Sequence, residues 1–440
     1  MASPKPLSVL VVGAGFGGLS TAIECANRGM QVTVIEKYPD SNSQGDILDI
    51  FPNAGRIIKA WDGGKVGQEI HDTGCDKIRS MEVHKYDGKY VTEVDWARDE
   101  FEHDITYAGH RGKLHSIIMA YAKRLVPDIR IGVGVTKYLE NEEQAGIVLS
   151  TGETLWADCV IAADGPRSVA REQVLGLINE DETNTDSKWA VFRSFFKTDE
   201  ASRELLRANG LLYPDRDLVR FWMFDNLSMM AFVWNDGADV AWDDKASEEG
   251  WSNSNIASRE HLAKWMEPFT GKDARAIYNV TPVGKTIDFK LVYRPAIDKW
   301  TSKGGRTILI GDAAHANLPT AGQGASQALE DSVTLAHCLE VCGGDVKLAL
   351  EATQRIRYHR SNAVHKSGQV NRDAFYKTPW EVIEADAHTF AKRRWPKLKP
   401  WDPLQFAKEQ FPKIAEDIKN GVTGSLDEVA IPPPEGGYWP

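Results

Sequence analysis

The residues Gly13 to Gly18 fit the pattern G-x-G-x-x-G and directly follow an apolar run. In this pattern the glycines allow a tight turn and a close approach of the backbone to a pyrophosphate at the N-terminus of the next helix. Glu36 ends the following apolar run, 21 residues after Gly15, where a carboxylate can accept hydrogen bonds from a ribose. A carboxylate here favours a free 2′-hydroxyl over a 2′-phosphate. The pattern therefore predicts that FAD or NAD(H) is bound by a set of residues comprising Gly13, Gly15, Gly18, Glu36 and the adjacent Lys37.

Three further strings carry polar residues beside apolar runs. They are HRGKLHSIIMAYA from His110, CVIAADGPRSVAR from Cys159 and GDAAHANLPTAGQGASQALED from Gly311. Taken alone, Asp312 in the third string reads equally well as a helix N-cap. Together with the glycine loop, and in this order, the strings resemble the motifs of the class A flavin monooxygenases. This family includes salicylate hydroxylase and fungal enzymes of secondary metabolism, and the resemblance covers roughly residues 7 to 375.

The resemblance implies roles for individual residues and selects non-covalent FAD as the resident nucleotide. Asp312 would bind a ribityl hydroxyl, Pro319 would lie beside the isoalloxazine ring, and Arg111 would contact the flavin. Asp164 and Gly165 would contact the FAD and take part in the use of NAD(P)H. A loop containing Gly322, Gly324 and Ala325 would present backbone N–H groups and a helix N-terminus to the flavin edge that gains charge on reduction.

The chemistry that the resemblance implies needs no protein nucleophile and no metal. NADPH or NADH would bind transiently and reduce the FAD, and the reduced flavin would react with dioxygen to form a C4a-hydroperoxide. This species would hydroxylate or epoxidise an electron-rich aromatic carbon. The third string and the segment YRPAIDKW are most similar to the fungal indole-alkaloid monooxygenases of the family.

Candidate substrate-pocket residues come from aromatic runs with strand-like alternation. Arg193 is a cation on an apolar strand, so it contacts either the substrate or flavin, or a structural counter-ion. Tyr293 is a second positioning candidate by its place in the family pattern. The remaining candidates are Phe221, Met223, Met230, Phe232 and Trp234. This composition favours a bulky, apolar aromatic substrate such as an indole or polyketide. A small aromatic acid that undergoes decarboxylative hydroxylation, and a flavin-binding protein without turnover, remain alternatives.

The elements that must position these residues follow from hydrophobic periodicity. Residues 7–12 and the run QVTVIEK read as buried strands on either side of a helix that ends at Gly29, which makes a βαβ unit. A helix is predicted over 114–125, and the strands that follow it are expected to return to the first sheet. Short aromatic runs over 187–285 predict a mostly antiparallel sheet. A strand is predicted within 306–315 and a long helix over 326–341.

The fold class is therefore α/β, with a Rossmann-like FAD-binding domain interwoven with a β-sheet substrate domain. We assign residues 1–75, 101–180 and 286–375 to the FAD-binding domain. Residues 76–100 and 181–285 are assigned to the substrate domain, and residues 376–440 to a C-terminal helical or irregular tail.

The bulk properties exclude several other classes of function. The chain has 440 residues and a formal net charge of -11, which disfavours binding to nucleic acids or anionic membranes. Five scattered cysteines without a CxxC pair indicate neither a disulfide framework nor a zinc site. No transmembrane segment is predicted, and a cytoplasmic monomer or homodimer is expected.

Overall fold

The computed structural model describes residues 5–39, 47–73, 77–95, 104–177, 185–224, 227–245, 258–284, 286–294, 297–377, 379–387 and 401–422. Its strands are β1 (Ser8–Val12), β2 (Gln31–Glu36), β3 (Ile47–Ile50), β4 (Ile78–Lys85), β5 (Tyr90–Asp95), β6 (Tyr107–His110), β7 (Asp128–Ile131), β8 (Val135–Glu140), β9 (Ala145–Leu149), β10 (Thr154–Ala157), β11 (Cys159–Ala162), β12 (Thr185–Lys197), β13 (Asp217–Phe224), β14 (Leu227–Trp234), β15 (Gly237–Lys245), β16 (Ile287–Tyr293) and β17 (Thr307–Leu309). Its helices are α1 (Phe16–Asn27), α2 (Pro52–Ala60), α3 (Lys65–His71), α4 (Arg111–Leu125), α5 (Val169–Leu175), α6 (Glu200–Ala208), α7 (Arg259–Trp265), α8 (Lys272–Val280), α9 (Asp312–His315), α10 (Gly324–Val341), α11 (Val346–Lys377), α12 (Trp380–Ala385) and α13 (Pro403–Lys419).

The predicted βαβ unit is confirmed and lies inside a five-stranded parallel sheet. The strand order is β17-β11-β1-β2-β7, with β1 paired to β11 on one side and to β2 on the other. Because the strands are parallel, their carboxyl ends meet at one edge, which is where open α/β sheets bind ligands. The glycine loop, Glu36, Asp164 and Asp312 follow these strand ends and are therefore brought together.

The strands after α4 follow the prediction only in part. β7 and β11 join the parallel sheet as expected, whereas β8, β9 and β10 form a separate three-stranded antiparallel sheet. Exposed residues interrupt β8 and β10, and such strands suit a sheet with one solvated face. The interior of a parallel sheet requires strands that are buried on both faces, as in β11.

The predicted aromatic sheet is confirmed as a seven-stranded sheet in the order β16-β12-β15-β14-β13-β4-β5. Its pairs are antiparallel except for β13 with β4, which is parallel. β16 belongs to this sheet because it pairs along β12, so the predicted domain boundary at residue 285 is misplaced. The sequence did not show to which sheet β16 belongs, because β16 stands between a helix of the substrate domain and β17 of the parallel sheet.

The seven-stranded sheet buries both of its faces. One face packs on α7 and α8 through a cluster that includes Trp222, Trp242 and Phe269. The other face gathers Phe221 and other apolar side chains with residues from β3, β6 and α12. Since β6 leads directly into α4, this second face meets the segments that approach the edge of the parallel sheet. We refer to it below as the inner face.

Helices α10, α11 and α13 pack along the parallel sheet domain. The predicted helix over 326–341 is confirmed as α10, which contacts α1, α11 and α13. The tail forms helices α12 and α13, and residues 423–440 lie outside the described part of the chain. In the described residues, no helix combines the length and the apolar character needed to span a bilayer.

Candidate functional site

The glycine loop has the close backbone approaches that its sequence predicted. Gly13 has φ +100°, and a Cβ atom there would lie 2.3 Å from the carbonyl oxygen of Ala163. A Cβ atom on Gly18 would lie 1.8 Å from the carbonyl oxygen of Gly13. A Cβ atom on Gly15, by contrast, would meet nothing within 4 Å. Gly15 is the N-cap of α1, and no side chain among the described residues caps that helix, so its first backbone N–H groups are available to an anion.

Glu36 lies beside this loop at the carboxyl end of β2. Its Oε2 accepts a hydrogen bond from the backbone N of Ala14 at 2.7 Å, and its Oε1 accepts one from the backbone N of Tyr38 at 2.9 Å. Each carboxylate oxygen has a second lone pair, which could accept from a ribose hydroxyl. The adjacent Lys37 is exposed, and its Nζ lies 4.9 Å from the centre of the Tyr38 ring.

Asp164 follows β11 and lies at the same edge. Its Oδ2 accepts hydrogen bonds from the Tyr138 hydroxyl at 3.0 Å and from the backbone N of Val169 at 3.2 Å. Its buried Oδ1 has no hydrogen-bond partner among the described residues, so one acceptor remains for a bound group. Burial raises the pKa of the Asp164 carboxyl, although its hydrogen bonds oppose the shift. Gly165 has φ +83°, which allows the chain to turn away at once.

Asp312 is the first residue of α9, after Gly311 with φ +57°. The Asp312 carboxylate is surrounded by other parts of the chain, but it remains accessible to solvent. This enclosure raises the pKa of the Asp312 carboxyl, whereas His315 and Arg111 lower it. Arg111, the first residue of α4, is thus near enough to Asp312 for its positive charge to act on the carboxyl. An enclosed yet accessible carboxylate is suited to accept hydrogen bonds from a polyol.

The loop after α9 brings a second helix N-terminus to the site. Pro319 is exposed and begins a 3-10 turn that ends at Gly322, which has φ +62°. α10 then starts at Gly324 with Ala325 in its first turn, and no side chain in the described part of the chain caps it. The arrangement agrees with the expected display of backbone N–H groups toward a developing negative charge.

A buried cluster of charges supports this loop from behind. Asp331 accepts hydrogen bonds from the backbone N of Gly311 at 2.9 Å and from Arg357 at 2.8 Å, and its Oδ2 lies 2.6 Å from Nε2 of His315. Arg357 also pairs with Glu330, to which Arg360 donates at 2.7 Å. The acids and arginines are almost fully buried, so their mutual neutralisation is what makes the cluster stable.

The five predicted apolar pocket residues lie together on the inner face of the seven-stranded sheet. Four of them are buried in one cluster, and Met230 packs against it. Phe195 packs against the same cluster, and its ring centroid lies 5.1 Å from that of Trp234. The candidates are Phe221, Met223, Met230, Phe232 and Trp234.

Arg193 also lies on the inner face, and the structure shows its counter-ion. Its Nη2 and Nε donate to Oδ2 of Asp239 at 2.9 Å and 3.2 Å, and Asp239 is fully buried. Asp239 also accepts from the backbone N of Ile47 at 2.7 Å, so the pair ties the sheet to β3. Of the two readings of Arg193, the structural ion pair is therefore observed. Tyr293 ends β16, and its side chain lies outside the described part of the structure.

His110 and Asp239 were not predicted from the sequence, and they join the inner face to β6 and β3. His110 ends β6, immediately before Arg111, and its ring centroid lies 4.4 Å from that of Phe195. Asp239 was also missed, because an acid in an apolar strand has no visible partner until the sheet pairs β15 with β12. The His-Arg pair at the start of α4 was the only available signal for His110.

The described residues fit FAD. The open glycine loop and the uncapped α1 N-terminus suit a pyrophosphate, while Glu36 offers acceptors to the ribose. The spare acceptor on Asp164 and the enclosed carboxylate of Asp312 suit the hydroxyls of a ribityl chain. The uncapped α10 N-terminus suits the flavin ring.

Comparisons with known proteins agree with this site. A sequence profile described as "FAD binding domain" matches residues 6–353. The FAD-dependent monooxygenase nanF of Aspergillus nanangensis is 34% identical over 98% of this chain and 94% of its own. Notoamide E oxidase notB of Aspergillus sp. (strain MF297-2) is 32% identical over 96% of this chain and 92% of its own. The crystal structure of CtdE in complex with FAD and substrate 4 has a TM-score of 0.81 and 27% identity, covering 94% of this chain and 100% of that chain.

Proposed function

The chain belongs to the FAD-binding class A flavin monooxygenases, and on this basis we propose that it uses NAD(P)H and dioxygen to oxygenate a neutral, bulky aromatic compound of fungal secondary metabolism. The reaction would be a hydroxylation or an epoxidation. The proposal is supported by the family, by the names of relatives such as notoamide E oxidase, and by the aromatic inner face. The observation that carries the choice of substrate class is the buried ion pair between Arg193 and Asp239.

We propose the following division of labour around the cofactor. Bound FAD would supply the redox chemistry that couples NAD(P)H to dioxygen. Gly13, Gly15 and Gly18 would cradle its pyrophosphate. The other cofactor contacts would come from Glu36, Lys37, Arg111, Asp164, Gly165, Asp312, Gly322, Gly324 and Ala325. The FAD-binding segments would be those assigned from the sequence, with β16 transferred to the substrate domain.

The substrate would lie between the inner face and the edge of the parallel sheet where the carboxyl ends of the strands meet and the FAD would bind. His110 contacts Phe195 of that face, and the next residue, Arg111, acts electrostatically on Asp312. The two regions would therefore meet at the start of α4, where Pro319 would also approach the flavin. Aromatic and thioether side chains on this face would hold a flat, polarisable substrate and exclude water.

The charge of the inner face favours neutral substrates over aromatic acids. Arg193 is a cation on this face that could anchor a carboxylate, but Asp239 already neutralises it at hydrogen-bond distance. A benzoate approaching Arg193 would meet the negative charge of a fully buried Asp239 and would have to displace it. A small aromatic acid is therefore disfavoured here.

The proposal is tested by substrate-stimulated oxidation of NAD(P)H by the FAD-loaded protein. Indole, tetrahydrocarbazole and 2-naphthol represent neutral aromatics, and benzoate and salicylate represent small aromatic acids. We expect the neutral compounds to stimulate oxidation more strongly than the acids. Stronger stimulation by benzoate or salicylate would overturn the assignment of the substrate class. Absence of stimulation by every compound, with FAD bound, would favour a flavin-binding protein without turnover.

A further inference from the structure

The backbone of Ala14, the second residue of the glycine loop, is held on both sides by side chains from other elements. Its N–H donates to Oε2 of Glu36 at 2.7 Å. Its carbonyl oxygen lies 2.6 Å from Nε2 of His115, which is on α4. The two peptide units that flank Ala14 therefore have fixed orientations. Glu36 already has a proposed role toward the ribose, but His115 has none.

His115 is placed by the same helix that carries Arg111. The two residues are four positions apart, so they lie on one side of α4, one turn from each other. The His115 ring also contacts Phe16 edge to face, with ring centroids 5.9 Å apart. Burial lowers the pKa of His115, although the Ala14 carbonyl opposes the shift. The ring is therefore neutral near neutral pH, and Nε2 carries its proton because a carbonyl oxygen can only accept.

The contact to Ala14 determines the direction of the next N–H group. In a trans peptide the carbonyl of Ala14 and the N–H of Gly15 point in opposite directions. A carbonyl drawn toward α4 by His115 turns the Gly15 N–H to the other side of the loop. A Cβ atom built on Gly15 has open space around it, and Gly15 is the uncapped start of α1.

We propose that His115 is a positioning residue for FAD binding, which orients the Ala14–Gly15 peptide so that its N–H meets the pyrophosphate. His115 itself would not touch the cofactor. It would act by removing an alternative orientation of the peptide, in which the carbonyl would face the phosphate oxygens and repel them. The inference rests on the binding of FAD and not on the oxygenation of any substrate.

Three substitutions test the role of the Nε2 donor. His115→Phe keeps a ring against Phe16 but has no donor, and His115→Gln places an amide N–H at nearly the reach of Nε2. His115→Asn has a shorter amide that falls short of Ala14, and it serves as a second loss variant if the Phe variant does not fold. Lys113→Gln, at an exposed position on the same helix, is the matched control. FAD affinity is measured by fluorescence quenching as apoprotein is added to FAD.

We expect the Phe and Asn variants to bind FAD about ten-fold more weakly, as for the loss of one hydrogen bond. The Gln variant and the Lys113 control should stay within about two-fold of the wild type. Calorimetric titration with ADP, which retains the pyrophosphate, should show the same loss, whereas riboflavin, which lacks it, should bind unchanged. A Gln variant as weak as Phe, wild-type FAD affinity in the Phe and Asn variants, or an equal loss for riboflavin would overturn the proposal. Since none of these measurements uses turnover, failure to oxygenate a substrate would leave the result intact.

Discussion

Removing the negative charge of Asp239 should change which substrates the inner face accepts. Asp239 is fully buried, and its Oδ2 receives hydrogen bonds from Arg193 and from the backbone N of Ile47. Asp239→Asn keeps the size of the side chain but removes the negative charge that lies against the Arg193 guanidinium. We expect the variant to bind benzoate, which the wild-type protein should exclude.

The size of the effect follows from the strength of a hydrogen bond to a charged group. Such bonds contribute about 1.5–3 kcal/mol, which corresponds to roughly 10- to 150-fold in the dissociation constant. The Arg193 side chain is 17% exposed, so water competes for part of its charge. We therefore expect a gain in benzoate affinity near the lower end, about 10- to 30-fold.

The assay is a titration of the FAD-loaded variant with benzoate, followed by the change in flavin absorbance. Asp236→Asn, in the exposed turn just before β15, is the matched control and should bind benzoate like the wild type. Adding Arg193→Met to Asp239→Asn should abolish the gain. A folded, FAD-loaded Asp239→Asn protein that binds benzoate no better than the wild type would show that Asp239 does not exclude acids.

Asp312, the buried charge cluster and Glu82 can each be tested by substitution. Asp312→Ala should weaken FAD binding about ten-fold by removing an acceptor for a ribityl hydroxyl, and unchanged affinity in a fluorescence titration would contradict that role. Arg357→Met should cost about 3–5 kcal/mol of unfolding free energy because it leaves two buried acids short of a cation, so a thermal midpoint equal to that of the wild type would contradict the account. Burial raises the pKa of the Glu82 carboxyl, but His84 and Arg220 lower it by a larger amount. The pKa therefore falls from 4.5 to about 2. Because the folded pKa lies below the unfolded value, this stabilisation is present above about pH 4.5 and is lost as the pH falls toward about 2. Glu82→Gln should therefore flatten the fall of the thermal midpoint in acid, and parallel profiles for the two proteins would argue against it.

Local patterns were sufficient to predict the cofactor half of the site. The spacing of Gly13, Gly15 and Gly18 reflects steric limits within one turn, and the structure shows those limits as close backbone approaches. Glu36 and Asp312 could be placed because parallel strands bring their carboxyl ends to one edge. Strand alternation likewise placed Phe221 and Met223 on one face.

The contacts that could not be predicted join residues far apart in the chain. Arg193 and Asp239 are 46 positions apart, and only the pairing of β12 with β15 makes them neighbours. His115 and Ala14 are 101 positions apart, and nothing in the periodicity of α4 indicates which loop it faces. The assignment of β16 to the second sheet has the same origin, because strand pairing is set by tertiary structure and not by the strand itself.

The proposed reaction transfers one oxygen atom of dioxygen to a neutral aromatic compound. The most direct measurement incubates the FAD-loaded protein with NADPH or NADH under oxygen-18 gas, together with the neutral and acidic aromatics named above. We predict that a neutral aromatic gains one oxygen-18 atom, as read by mass spectrometry of the product. Label that enters benzoate or salicylate but no neutral compound would contradict the account, as would steady consumption of NAD(P)H with no label in any product.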